Sequence, residues 1–143
     1  MVSNHAFIEI QNKELLNEEH PEEILIRYIK EMLEAIGVEC GEIKILAFYV
    51  GFICIIDNNE IGINLSKTEK REEGTSGYSS IFCVNAIKSF WWKRLFKQIP
   101  TDMLDSGKEL QYVCEQIDKI LSSDSRIGNV HWMTREEKRK RKN

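Results

Sequence analysis

The segment that most constrains the fold is an apolar run over 43–56 that ends in a cluster of turn-forming residues. Ile, Val, Phe and Tyr dominate the run, and these side chains favour β-strands. Asp57, Asn58 and Asn59 follow directly and predict a turn between two strands. The pattern leaves open whether 43–56 is one bent strand or two strands folded at Val50-Gly51, because Gly51 suits a bulge as well as a turn.

The next segment, 61–65, carries the clearest alternation in the chain. Ile61, Ile63 and Leu65 occupy every second position, with Gly62 and Asn64 between them. Side chains of a strand point alternately to its two faces. This strand is therefore predicted to have one buried face and one face that is wet or closely approached.

A first amphipathic helix is predicted over 21–36. Pro21 suits the first helical position, Glu22 and Glu23 complement the positive end of the helix dipole, and Gly37 is placed to end the helix. Apolar residues recur at helical spacing. The predicted buried stripe consists of Leu25, Tyr28, Ile29, Met32, Leu33 and Ile36.

A second helix is predicted over 106–122. Ser106 and Glu109 have the spacing of a capping box, in which each side chain bonds a free backbone N–H group at the helix start. Its predicted stripe consists of Leu110, Val113, Cys114, Ile117, Ile120 and Leu121.

The remaining segments carry weaker patterns. AFIEI, at 6–10, fits a short strand or the start of a helix, and the polar stretch over 66–80 predicts a surface loop. Ile127–Met133 predicts a final strand, and Thr134 with Glu137 predicts a short charged helix after it. A strand over 81–84 is expected to lead into a basic helix over 85–98, which Pro100 stops.

These elements predict one α+β domain over 1–134, followed by a basic tail over 135–143. We expect two layers, a mainly antiparallel sheet packed against about three helices. The sheet is predicted from 43–66, 81–84 and 127–133, and the helices from 21–36, 85–98 and 106–122.

The composition is that of a folded cytoplasmic protein. The 143 residues suit a single domain with its own core, and neither a leader nor a membrane-spanning run is evident. The four cysteines are widely spaced, which predicts reduced thiols with Cys40 the most exposed. The other three, Cys54, Cys83 and Cys114, are expected to fill the core.

The sequence carries no recognised catalytic or cofactor-binding motif. Phosphate-binding glycine loops, nucleophile elbows and metal-binding HExxH patterns are all missing. His5, His20 and His131 lie far apart, with no cysteine or carboxylate at metal-ligand spacing. We therefore expect neither an enzyme nor a bound cofactor or metal.

Charge is distributed unevenly along the chain. Residues 1–42 hold ten acidic and three basic side chains, 43–134 hold eleven of each, and 135–143 hold two and six. Such an acidic flank steers basic partners. The KRKRK tail at 138–142 lacks interleaved aromatic residues, so we interpret it as a solvated terminus and expect no nucleic-acid partner.

Trp91 and Trp92 form the other notable pair. Adjacent helical residues point about 100° apart, so the two rings cannot share one contact. The pair predicts either core packing or, for one ring, an anchor in an interface.

Taken whole, the chain resembles the immunity proteins of bacterial polymorphic-toxin and contact-dependent growth-inhibition systems. The likeness rests on a short, Ile/Lys/Glu/Asn-rich α+β domain with an acidic flank, and on the closing segment RIGNVHWMTREE. The resemblance implies a stoichiometric inhibitor of a cognate toxin domain, often a nuclease, whose basic cleft attracts acidic side chains. From charge and exposure, the predicted contact residues are Glu18, Glu19, Glu22, Glu23, Glu31 and Glu34, with Asp57 and Glu60 if the turn lies on the same side.

Two other functions stay open from the sequence. A first helix followed by strands also fits a type III secretion-type chaperone, which would be an obligate dimer. A small enzyme with a site assembled from distant residues is the alternative outside the binding classes. The sequence leaves the oligomeric state undetermined.

Overall fold

The computed structural model describes residues 4–70, 76–86 and 107–133, in which strands outnumber helices. In chain order the elements are β1 (His5–Ile10), α1 (Lys13–Leu16), α2 (Pro21–Ala35), β2 (Glu39–Cys40), β3 (Lys44–Ile45), β4 (Tyr49–Ile56), β5 (Asn59–Ser66), β6 (Glu69–Lys70), β7 (Gly77–Ala86), α3 (Lys108–Ser122) and β8 (Ile127–Trp132).

All the described strand pairings are antiparallel and join the strands into one sheet. The strand order is β2-β4-β5-β7-β1-β8, with β3 added to β4 and β6 added to β7. The two longer helices, α2 and α3, pack against this sheet. The predicted α+β class and the mainly antiparallel sheet are confirmed.

The β4–β5 hairpin forms as the turn residues predict. Ile56 pairs with Asn59, so the turn has only two residues, Asp57 and Asn58. Both have positive φ, 49° and 66°, which is the type I′ geometry whose twist matches that of the flanking strands.

The chain reversal before β4 lies earlier than Val50-Gly51. The backbone N–H of Leu46 donates to the carbonyl of Tyr49 at 2.9 Å, which closes a tight turn between β3 and β4. Gly51 lies within β4, opposite Asn64. The apolar run is thus a short strand and a long strand, and neither of the two expected arrangements is quite right.

The core contains residues of the helices and of one face of the sheet. Ile61, Ile63 and Leu65 are fully buried there, so the predicted alternation of β5 is confirmed. The main buried contributions from the other elements are Ile8 and Ile10 of β1, Val50 and Phe52 of β4, Ile81 and Cys83 of β7, and the predicted α3 stripe from Leu110 to Leu121.

Helix α2 is rotated relative to its predicted stripe. Ile26 is buried, whereas Met32 and Ile36 are exposed. Positions 22, 26, 29 and 33 recur at intervals of three or four residues and centre the buried face. Met32 and Ile36 therefore lie on the flank of the helix.

The helix ends largely agree with the sequence. Gly37, at φ 92°, follows α2; its N–H donates to the carbonyl of Glu34 and that of Val38 to the carbonyl of Leu33, both at 3.0 Å. This is a Schellman ending. At α3, however, the N-cap is Gly107 rather than the predicted Ser106, which lies outside the described residues.

The loop predicted over 66–80 is wrong at both ends. β5 runs to Ser66 and β7 starts at Gly77, because β5 and β1 flank β7 and supply its backbone partners. The polar side chains are satisfied within the sheet: the Ser79 hydroxyl donates to the Ser66 carbonyl, and the Ser80 N–H donates to the Ser66 hydroxyl, both at 2.8 Å.

The helix predicted over 85–98 does not start at 85, since β7 continues through Ala86 in pairing with β5. The rest of that predicted helix, Trp91, Trp92, the charged helix from Thr134 and the basic tail lie outside the described residues. Segment 6–10 is a strand, and β8 confirms the predicted final strand. No helix in the described part of the chain is long and apolar enough to cross a membrane.

The junction between α3 and β8 is held by an ion pair. Asp124 accepts from the Arg126 backbone N–H at 2.9 Å and from its guanidinium at 2.7–3.2 Å. These hydrogen bonds lower the pKa of Asp124. Arg126 also lies over the Tyr28 ring at 5.0 Å, which ties the junction to α2.

We expect Asp124→Asn to destabilise the fold at neutral pH by about 1.5–3 kcal/mol, the range for hydrogen bonds to charged groups. Because the folded-state pKa of Asp124 is lowered, its contribution is present above the unfolded pKa and is lost as the pH falls through the folded one. Urea unfolding of wild type and of Asp124→Asn at pH 7 and pH 3 measures this loss of stability. A stability gap between wild type and variant that stays equal at both values contradicts the assignment.

The two hairpin glycines should respond differently to alanine. A Cβ at Gly51 would lie 2.6 Å from the Ile63 carbonyl oxygen, whereas one at Gly62 would have its nearest neighbour at 3.6 Å. Gly51→Ala should cost about 1–3 kcal/mol of unfolding free energy through overpacking. Gly62→Ala should be neutral or stabilising by up to about 1 kcal/mol. Thermal unfolding of both variants checks the contrast, and equal losses would refute it.

Candidate functional site

Exposed apolar side chains are concentrated at one edge of the sheet. Of the eight large hydrophobic residues exposed in the described segments, seven lie between positions 32 and 55. Single exposed apolar residues are ordinary, but a concentration of them marks an interaction site. The seven are Met32 of α2, Ile36 directly after it, Ile45, Leu46 and Phe48 around the β3–β4 turn, and Ile53 and Ile55 of β4.

The backbone explains why these side chains stay exposed. Phe48 lies in the β3–β4 turn, and its side chain is 81% exposed. Ile53 and Ile55 lie on the sheet face opposite the core, because Cys54 between them points inward. We call this region the edge surface: β2, β3, the turn 46–49, the outward side chains of β4 and the C-terminal half of α2.

Acidic residues surround the edge surface. Glu39 of β2 and Glu60 of β5 both lie directly across from Ile55 in the strand register. Asp57 is exposed at the tip of the adjacent hairpin. Glu31 and Glu34 are exposed on α2. An apolar centre with a charged rim is the usual arrangement of a protein interface.

Cys40 of β2 lies close enough to Glu34 of α2 for that charge to affect the pKa of its thiol. Burial and then the charge of Glu34 raise the pKa of the Cys40 thiol to about 11. Cys54, its cross-strand partner, has its pKa raised to about 12, mainly by burial. Both thiols are therefore protonated at neutral pH, and they pack as small apolar groups rather than as nucleophiles.

The structure divides the predicted acidic contact residues between two ends of the sheet. Glu31, Glu34, Asp57 and Glu60 lie beside the edge surface. The other four surround the start of α2, near Ser66–Lys70 at the far end of β5, where the Lys67 N–H also donates to the carbonyl of Phe48 at 3.2 Å. These four are Glu18, Glu19, Glu22 and Glu23.

Glu22 differs from its acidic neighbours because it is buried. Its side chain is only 4% exposed and lies 3.9 Å from the Lys67 ammonium. It also accepts from the backbone N–H of Thr68 at 3.4 Å. Glu22 thus ties α2 to the end of β5 and presents little surface to a partner.

His20 stands close to three of these carboxylates. Its ring nitrogens lie 3.8 Å from Glu19, 3.7 Å from Glu22 and 3.9 Å from Glu23. In the described segments, no three His, Cys, Asp or Glu side chains have an arrangement that could hold a metal ion.

Behind Ile53, the edge surface continues into a trough on the sheet face away from the core. Its floor is made by Gly51 of β4 and Gly62 of β5, which have no side chains of their own. The volume is about 400 Å³, within the range of ligand-binding clefts. Asn64 lies in the floor, and the walls include Leu46, Tyr49, Ile53, Glu42 and Lys44.

Sequence reasoning found part of this site. It predicted that the Gly62/Asn64 face of β5 would be wet or closely approached, and it selected four of the rim carboxylates. It missed Glu39, Glu42 and the exposed apolar side chains, because apolar residues in a strand-forming run are normally assigned to the core. The one available signal was the alternation of Ile53 and Ile55 with Cys54, directly opposite glycine and polar positions of β5.

No family model matches the chain, and neither the curated proteins nor the solved structures contain a significant match to it.

Glu22→Ala should lower the free energy of unfolding by about 1–3 kcal/mol, because it leaves the half-buried Thr68 N–H without its acceptor. Glu19→Ala is the matched control, since that side chain is 91% exposed; it should change stability by less than about 0.5 kcal/mol. Urea denaturation of both variants makes the comparison. Equal stabilities would show that Glu22 has no structural role.

Proposed function

We propose that this chain is a two-layer α+β domain that acts in the cytoplasm by binding and neutralising a protein partner with a basic site, as immunity proteins do. The observation that carries the proposal is the edge surface: seven exposed apolar side chains beside a rim that includes Glu31, Glu34, Glu39 and Asp57. Apolar area supplies the binding free energy, and the rim supplies attraction and specificity.

A toxin nuclease is the partner class that fits this chemistry best. Such a domain must hold phosphates with Lys and Arg, so its active cleft is basic. Carboxylates beside the edge surface would occupy the positions of phosphates and exclude the substrate. Inhibition of this kind needs no catalytic group on the inhibitor.

The direct test is coexpression with the product of the adjacent gene in a heterologous host. Growth arrest by that product alone, rescue by this chain and a 1:1 complex on gel filtration with light scattering are the expected results. An obligate dimer bound to a secreted effector would replace the proposal with a chaperone function. A neighbouring product that is harmless and does not bind would remove the proposal.

Three double variants, each with two Glu residues replaced by Lys, test where the proposed partner binds. Glu31→Lys/Glu34→Lys changes the edge surface, Glu18→Lys/Glu19→Lys changes the opposite end, and Glu14→Lys/Glu115→Lys changes exposed positions elsewhere. Each pair shifts the net charge by the same +4, so long-range attraction falls equally. We expect only the first pair to slow association by a further factor of about ten at low salt.

Stopped-flow association rates at low and high ionic strength measure the three pairs. The extra loss should disappear at high salt, because screening removes electrostatic steering. If the Glu18/Glu19 pair has the largest effect, the acidic end of α2 is the contact, and the edge surface is not.

A further inference from the structure

The pairing of β4 with β5 determines which residues form the floor of the trough. Gly51 lies opposite Asn64, and Ile53 lies opposite Gly62, so the two glycines are diagonal neighbours on the same face. A Cβ at Gly51 would meet the Asn64 Oδ1 atom at 2.6 Å, and one at Gly62 would lie 3.6 Å from its Nδ2 atom. The carboxamide of Asn64 therefore lies across the floor, between the two glycines.

The carboxamide of Asn64 carries both a hydrogen-bond donor and an acceptor. Its carboxamide makes no hydrogen bond to any other described residue, yet it lines the trough among apolar groups. A carboxamide can donate from nitrogen and accept at oxygen, which matches one backbone N–H and one C=O of an extended peptide. A carboxamide at the bottom of an apolar cleft determines the orientation of the group that binds there.

The surroundings indicate a protein segment as the occupant. Exposed apolar surface continues beyond the trough to Phe48 and Ile55, farther than a small molecule would reach. Among the described residues, the wall carries one carboxylate, Glu42, and one cation, Lys44, and a second carboxylate, Glu39, lies across from Ile55. A segment that carries Lys or Arg next to an apolar side chain complements both features.

We propose that the trough is the anchor site for one large apolar side chain, aromatic or aliphatic, of a partner segment with adjacent Lys or Arg residues. This inference rests on the proposed function, because it identifies how the partner docks on the edge surface. The anchor packs over Gly51 and Gly62 between Tyr49 and Ile53, its backbone bonds Asn64, and its basic neighbours face Glu42 and Glu39. Interfaces commonly concentrate their binding energy in one such buried anchor.

Three synthetic nine-residue peptides probe the site on the full chain. The first has a central Trp flanked by Lys and Arg, the second replaces that Trp with Ala, and the third keeps Trp but has Glu flanks. Titration is followed by ¹H–¹⁵N NMR. We expect only the first to shift the backbone signals of Gly51 and Gly62 and the side-chain amide of Asn64.

Gly62→Ala is the decisive variant, because its methyl group would reduce the trough while making only ordinary contacts within the chain. It should weaken binding of the first peptide by about tenfold or more. Gly128→Ala is the control at the far edge strand β8, where the atoms nearest the added methyl belong to the flexible side chain of Gln11, which must move aside. This control should bind like wild type.

Several results would overturn the proposal. These are peptide shifts that do not depend on the central Trp, an absence of shifts at millimolar peptide, and a folded Gly62→Ala chain that binds normally. If the NMR signals of the trough residues shift with protein concentration in the absence of peptide, the site binds a second copy of this chain instead.

Failure of the anchor site and failure of the proposed function are distinguishable. If Gly62→Ala protects cells from the adjacent gene product as well as wild type does, the function stands and the anchor is wrong. If the first peptide binds in the trough but no toxin is neutralised, the anchor stands and the function is wrong.

Discussion

The register of the β4–β5 hairpin is the constraint on which the rest of the structure depends. It aligns Val50, Phe52 and Cys54 with Leu65, Ile63 and Ile61 on the core face. A slip of one residue would turn all of these side chains to the opposite face. The two-residue turn at Asp57-Asn58 prevents that slip, because its left-handed geometry admits only one pairing of the flanking strands.

The same register determines the opposite face. Once the large residues of β5 point inward, Gly62 and Asn64 must point outward, across from Ile53 and Gly51. Bulky residues at both glycine positions would pack into a continuous ridge. The trough and the core are thus two consequences of one alternation, and a change that shifted the hairpin would remove both.

Elements with strong internal signals could be predicted from the sequence. Pro21 and Gly37 bound α2, and the stripe from Leu110 to Leu121 describes α3, because their periodicity and ends are encoded locally. The hairpin followed from Asp57 and the alternation after it. None of these predictions needed knowledge of distant residues.

Features that depend on distant partners could not be predicted. Gly77–Ser80 has the composition of a loop, yet it is strand because β1 pairs with it along its length, β6 pairs with Gly77 and Tyr78, and the Ser66 hydroxyl and carbonyl accept its hydrogen bonds. Similarly, Glu22 and Glu23 are equivalent in sequence, but only Glu22 faces Thr68. The acidic residues form two separate groups only in the folded chain, where α2 packs along the sheet.

The construction of the edge explains how apolar side chains can remain exposed there. A long, regular edge strand would recruit other chains through its free backbone groups. Here the outermost strands, β2 and β3, have two residues each, and each carries one charged residue, Glu39 and Lys44. Strand addition is thereby disfavoured while Leu46, Phe48 and Ile53 stay accessible. Under the proposed function, a partner recognises side chains and charge at this edge rather than adding a strand.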